Sequence, residues 1–367
     1  MISIAKPEIT DKEFENIKKV LDSGMLAQGK VVEEFEKKFA EYIGVDYAIA
    51  TNSGTSALHT ALASLGIKKG DEVITTDFSF IASATCIIMQ GATPVFCDIN
   101  HDNCNINVDP IENLITKKTR AILPVHLYGQ PCDMDKIMAI AREHDLYVVE
   151  DACQAHGAIY KNKRVGSIGD VGTFSFYPTK NMTTSEGGIL TTNNKNVADK
   201  AREFRNHGQS KRYFHDFLGY NYRMTNIAAA IGVAQLEKLD TVNKKRQENA
   251  EFLNNELQKI QGITPMSVFP DINHVYHQYT IKTEENFRLS RDELAQYLTD
   301  NGIGVGIYYP IPIHKQPLFK DLSYDDKKVN CPVATMMAKK VLSLPIHHNV
   351  TILDLERIIE TIKNAGE

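Results

Sequence analysis

Between residues 47 and 192 the chain alternates short β-rich runs with helical stretches, and this period constrains the fold more than any other feature. Runs rich in β-branched and apolar residues fall at 47–51, 72–76, 93–97, 120–125 and 147–151. The stretches 56–65, 80–90, 110–115 and 134–144 between them have helical character. Strands spaced by helices predict a mostly parallel sheet covered on both faces. Two further β-like runs, 173–177 and 188–192, lie close enough together to pair within that sheet. After residue 226 the pattern turns helical, at 227–239 and again at 244–260, which predicts a long connector. Beyond about residue 250 a smaller α+β domain is expected. It has a β-like run at 277–282, a helix at 291–301, a segment at 308–312 and a final helix at 352–365. The division is placed at 1–245 and 246–367.

With 367 residues, 43% of them hydrophobic, the chain can bury a large core, and its length suits two domains. A net charge of -5 and the lack of any Lys/Arg block argue against nucleic acid as a partner. No stretch reaches the roughly 18 to 20 apolar residues of a membrane span. The first six residues lack the regions of a signal peptide. A cytoplasmic protein without a membrane partner is expected. The six cysteines form no CxxC pair and no zinc spacing, and read as reduced thiols. His347 and His348, taken as neighbours in a strand, point to opposite faces with no acidic or cysteine partner spaced nearby, so no metal site is expected. Neither GxGxxG nor GxxxxGK[ST] is present, which argues against an unrelated nucleotide-binding module.

Three segments carry chemistry. In residues 172–188, Lys180 follows a β-rich run and precedes Glu186-Gly187-Gly188, a setting that places a lysine at the rim of a sheet where ligands collect in α/β folds. A lysine amine forms a Schiff base with an aldehyde once burial or a neighbouring cation lowers its pKa. Alone, such a lysine reads first as a surface residue. In residues 148–157, Asp151 emerges from a buried run beginning Val148-Val149. There a carboxylate pairs with a pyridine nitrogen and keeps it protonated, or caps a helix. In residues 50–58, a strand leads through Asn52-Ser53-Gly54 into a helix whose free N–H groups, with the hydroxyls of Thr55 and Ser56, suit a phosphate.

Taken together and in order, these segments resemble the sugar aminotransferases of the DegT/DnrJ/EryC1/StrS group. The resemblance runs nearly end to end. It takes in Ser23-Gly24, Phe35-Glu36, His126-Leu127-Tyr128-Gly129, Asn206-His207-Gly208, Gly219 through Met224, Tyr309 through His314, and Ser343-Leu344-Pro345. It implies the fold of aspartate aminotransferase, fold type I: a large α/β domain with a mostly parallel, mixed seven-stranded sheet, and a small C-terminal α+β domain. It also implies pyridoxal 5'-phosphate as cofactor, passing through pyridoxamine 5'-phosphate. Lys180 then holds the cofactor and shuttles a proton, Asp151 meets the pyridine nitrogen, and Gln154 lies beside the phenolic oxygen. Thr55, Ser56 and Ser175 bind the phosphate, joined by Asn221 from a neighbouring subunit, so a homodimer with shared active sites is implied. Phe80 stacks on the cofactor, or packs in the core. His207 lies near substrate or shapes the turn before Gly208. Arg223 faces a carboxylate or pairs structurally, and Tyr309 and His314 approach the sugar nucleotide. L-glutamate and a nucleotide-linked keto sugar are the implied substrates, with the stretch Lys180 through Glu186 leaning toward enzymes that act at C4. Group members that dehydrate sugars at C3 replace the lysine with histidine, and a regulatory member keeps the fold without catalysis. Lys180, Asp151 and Gln154 set this chain apart from both.

Overall fold

The computed structural model describes residues 1–322, 324 and 329–367. Seven strands build the main sheet: β1 (Tyr47–Thr51), β2 (Glu72–Thr76), β3 (Thr93–Cys97), β4 (Thr119–Leu123), β5 (Tyr147–Asp151), β6 (Val171–Ser175) and β7 (Gly188–Thr192). Their spatial order is β1-β7-β6-β5-β4-β2-β3. The pairs from β6 through β3 are parallel, while β7 runs antiparallel to both β1 and β6. Helices cover both faces, so the central strands are continuously apolar: Val148, Val149, Ile122 and Leu123 are fully buried.

Several boundaries differ from the sequence reading, each for a local reason. The fourth strand ends at Leu123 because Pro124 has no N–H for the ladder, although its carbonyl still accepts from Asp151 at 2.9 Å. The sixth begins at Val171, with Gly172 inside it. A Cβ there would lie 2.3 Å from the Cα of Gly166, so the glycine marks a close backbone approach and not a strand end. The helix expected from Phe80 begins at Ala82, which leaves Phe80 outside it. The two helical stretches after residue 226 are one helix, Asn226–Leu257, whose N-cap Thr225 accepts from Ala228 N–H.

That helix runs unbroken through residues 245 and 246. Its N-terminal half packs against the helices Asp11–Ser23 and Lys30–Ile43. Ala250, Leu253 and Leu257 near its end join the core of the C-terminal domain, where Tyr279–Thr283 pairs antiparallel with Ile263–Pro265 and Val341–Leu344. Ile2 belongs to the same core and bridges to Ile303, so the first residues pack with the last third of the chain. His347 and His348 follow the strand Val341–Leu344 in a turn, not within it. His347 Nε2 lies 3.1 Å from the carbonyl of Ser3, and His348 Nε2 lies 3.7 Å from Glu8. No helix among the described residues is long and apolar enough to cross a membrane.

Candidate active site

The C-terminal ends of β1, β2, β5 and β6 open onto a cavity of about 810 Å³, closed on its far side by residues 277–278 and 308–316 of the C-terminal domain. Ligands of open α/β sheets collect at this edge, and the volume suits a cofactor with part of a substrate. Thr55, Phe80, Asp151, Gln154, Ser175, Lys180 and Tyr309 all line it.

Asp151 ends β5 and is 4% exposed. Ser83 donates to its Oδ2 at 2.7 Å, and the Cys153 N–H donates to Oδ1 at 3.2 Å. No helix begins at Asp151, so the carboxylate caps none. Beneath it, Glu150 is fully buried and accepts the N–H groups of Gly166, Ile168 and Gly169 at 2.8–2.9 Å. His126 Nδ1 accepts from Cys132 N–H at 3.0 Å, so the ring proton sits on Nε2, which donates to Glu150 at 3.0 Å. Burial alone pushes the Glu150 carboxyl up, but His126 and these backbone donors win and hold it below the usual range.

Lys180 lies in the turn after β6, its N–H donating to Tyr177 O at 2.9 Å. Removal from water lowers the pKa of its amine, against the pull of the Asp151 carboxylate. Among the described residues that line the cavity it is the one lysine or arginine. Burial, then Asp151, pushes the Cys153 thiol well up, so it stays protonated. Gln154 accepts from Tyr128 N–H at 2.9 Å and donates to the Tyr309 hydroxyl at 3.3 Å. Phe80 is 56% exposed at the cavity mouth, its ring centroid 6.5 Å from that of Tyr309, which is not the setting of a core residue.

At the rim, Ser53 caps the helix Gly54–Ser64 and takes the N–H of Ser56 at 3.1 Å, leaving the first N–H groups of the helix without an intrahelical acceptor. A Cβ on Gly54 would lie 2.6 Å from Ser175 Cβ, so glycine lets the Ser175 hydroxyl approach the helix start. This cradle of backbone N–H groups, Thr55 and Ser175 fits a phosphate, and Lys180 and Asp151 across the cavity fit an aldehyde and a pyridine nitrogen. Ser56 is not on the wall: its hydroxyl is turned back to Asn52 Oδ1 at 2.7 Å.

Four further expected residues lie away from the cavity wall of the single chain. His207 is exposed in a left-handed conformation (φ 61°) before Gly208, its carbonyl facing His215 Nδ1 at 2.9 Å. Asn221 is exposed, and its carbonyl accepts from Asn52 at 3.3 Å. Arg223 donates to Asn206. His314 is buried against Asp77, which accepts its N–H at 2.9 Å and meets its Nδ1. Conversely, Ser79, Ser83, His277, Gln278 and Tyr308 line the cavity without having drawn attention in the sequence. Ser83 lies in an apolar helix with no motif, and His277 and Gln278 read as the start of a strand.

Residues 7–363 match the model of the DegT/DnrJ/EryC1/StrS aminotransferase family. GDP-perosamine synthase of Caulobacter vibrioides is 40% identical over 365 residues, covering 98% of this chain and 97% of that protein. The dTDP-3-amino-3,4,6-trideoxy-alpha-D-glucose transaminase of Streptomyces venezuelae is 38% identical over 352 residues, covering 96% of this chain and 91% of that protein. Among solved structures, Spr1654 from Streptococcus pneumoniae in its PMP form superimposes with a TM-score of 0.93 at 28% identity, covering 100% of this chain and 99% of that one. The same protein has been solved in a PLP form.

Proposed function

This chain belongs to the DegT/DnrJ/EryC1/StrS aminotransferase family, whose cofactor is pyridoxal phosphate, and from that premise we propose that it moves an amino group from L-glutamate to the keto carbon of a nucleotide-linked sugar, at C4. One observation carries the reading: an amine with a depressed pKa, Lys180, shares a cavity with a hydrogen-bonded carboxylate, Asp151, and a phosphate-sized cradle at a helix start. C4 rests on the likeness of residues 180–186 to enzymes of that specificity.

In this reading Thr55 and Ser175 hold the phosphate, with Asn221 reaching in from a second subunit of a homodimer. Asp151, fixed by Ser83, faces the ring nitrogen, and Gln154 the phenolic oxygen. When bound, pyridoxal phosphate supplies an aldehyde carbon for the amine and a protonated ring that draws electrons from the donor's α-carbon. Lys180 Nζ, its pKa lowered by removal from water, would take the α-proton of the amino acid and deliver it to the carbon that had been the cofactor's aldehyde. The same amine runs the transfer in reverse on the keto sugar, so kinetics are ping-pong. Phe80 and Tyr309 flank the mouth and limit the entry of water.

The test is Lys180→Ala. The purified wild type should show the visible absorption band of a lysine-bound cofactor, bleached by L-glutamate and restored by a keto sugar nucleotide. The variant should lack both the band and turnover. A variant that kept either at wild-type level would refute the role of Lys180. A panel of GDP-, dTDP- and UDP-linked 3-keto and 4-keto sugars then decides position and nucleotide. A fully active monomer in sedimentation would contradict the shared site.

A further inference from the structure

Buried polar side chains in folded proteins nearly always have hydrogen-bond partners, and exceptions at a cavity mark where a ligand supplies them. His277 and Gln278 are such exceptions. They are 6% and 6% exposed, lie side by side on the cavity wall, and make no side-chain hydrogen bond among the described residues. His277 Nδ1 and Gln278 Oε1 are both left unsatisfied.

Their backbone, in contrast, is fixed. Arg246 donates from Nη1 to the carbonyls of Tyr276 at 3.0 Å and His277 at 3.4 Å. The Gln278 N–H donates to Tyr128 O at 3.2 Å, and the Val275 N–H to Gly129 O at 3.1 Å. Gly129 (φ +99°) permits this approach, since a Cβ there would lie 3.0 Å from His277 N. The chain therefore bends at 277–278, just before the strand Tyr279–Thr283, and both residues line the cavity. Burial first of all, and the neighbouring Arg246, keep the His277 ring neutral. The wall it faces carries the carboxylates of Asp151 and Glu186 against the single amine of Lys180. An anionic group gains little on such a wall. A hydroxyl, donor and acceptor at once, satisfies a neutral imidazole and an amide in either orientation.

We infer that His277 and Gln278 form the subsite for a ring hydroxyl of the sugar, setting the orientation in which its keto carbon meets the Lys180 amine. This rests on the sugar-aminating reading above and adds the residues that recognise the sugar itself. Neither residue exchanges protons with the reacting atoms; both act by positioning.

The two half-reactions separate this role from others. His277→Phe and Gln278→Leu should each raise KM for the keto sugar nucleotide accepted by the wild type about fivefold. kcat/KM should fall at least about threefold more in that half-reaction than in the L-glutamate half-reaction, which is followed by bleaching of the visible band. Calorimetry gives a readout without turnover. The wild type should bind the nucleotide-linked amino sugar more tightly than the nucleoside diphosphate alone, and each variant should lose most of that difference. His277→Asn, which keeps a polar end, should recover part of it, and serves also if the phenylalanine variant melts early. Equal losses in both half-reactions, or variants that keep the wild-type difference in binding, overturn the inference. A wild type that bleaches with glutamate yet aminates no nucleotide-linked keto sugar overturns the reading beneath it, and this inference falls with it.

Discussion

The two sides of the cavity are built on opposite rules. On the sheet side the two acids that end β5 are tied down: Asp151 by Ser83 and the Cys153 N–H, and Glu150 by His126 and three backbone donors. On the side given by the C-terminal domain, the backbone is held by Arg246 and Tyr128 while His277 and Gln278 keep their side chains unpaired. Chemistry needs groups already fixed in place, because reorganising them during the reaction raises the barrier. Recognition needs groups left open, because a ligand displaces no internal partner there. In the function proposed above, that difference matches reaction on the sheet and selection on the smaller domain.

That contrast can be broken from either side. The largest effect is expected on the sheet. Asp151→Asn keeps the side chain's shape and one hydrogen-bond acceptor but turns the other into a donor and removes the charge, and kcat should fall about 10³-fold with the fold intact, as steady-state rates and circular dichroism will show. Next comes Glu150→Gln, which weakens a fully buried network of charged hydrogen bonds and should cost about 1.5 to 3 kcal/mol at neutral pH in denaturant unfolding. Its pH dependence has a fixed sign. The folded carboxyl titrates below its ordinary value of 4.5, so its stabilisation is present above pH 4.5 and is lost as the pH falls from there through the folded value. The glutamine variant should lose less stability than the wild type over that acid range; an unchanged slope would assign the acid sensitivity to other groups.

On the opposite side, Asp77→Asn should loosen the segment that carries Tyr308 and Tyr309 by weakening its tie to His314. KM for the sugar is expected to rise about threefold with kcat less affected. A loss confined to kcat would mean that this wall takes part in the chemistry. Smallest should be Phe80→Leu. Its exposed ring adds about 0.5 to 1.5 kcal/mol of stacking at most, and the variant should release the cofactor a few-fold faster in a dilution assay.

Much of the sheet side was legible in the order of residues. The strands at 47–51, 72–76, 93–97 and 147–151 stand where their apolar runs placed them, since a buried parallel strand writes its burial into consecutive positions. Lys180, Asp151 and Thr55 were singled out from short segments at or just after strand ends, which the sheet brings together by construction, while Gln154 and Ser175 were legible only through the family resemblance. Ser56 was also singled out, but its local capping geometry turned it inward.

What only the tertiary structure decided lies between distant segments. His314 meets Asp77 across 237 residues, and Tyr128 reaches the Tyr308 carbonyl across 180. No periodicity encodes such pairs. His277 and Gln278 read as the opening of a strand until the bend held by Arg246 turned both toward the cavity. Local patterns follow from which residues neighbour one another along the backbone, and those fix elements and their exposed ends. Which end faces which follows from packing two domains across one long helix, a sum over contacts that no single stretch of chain contains.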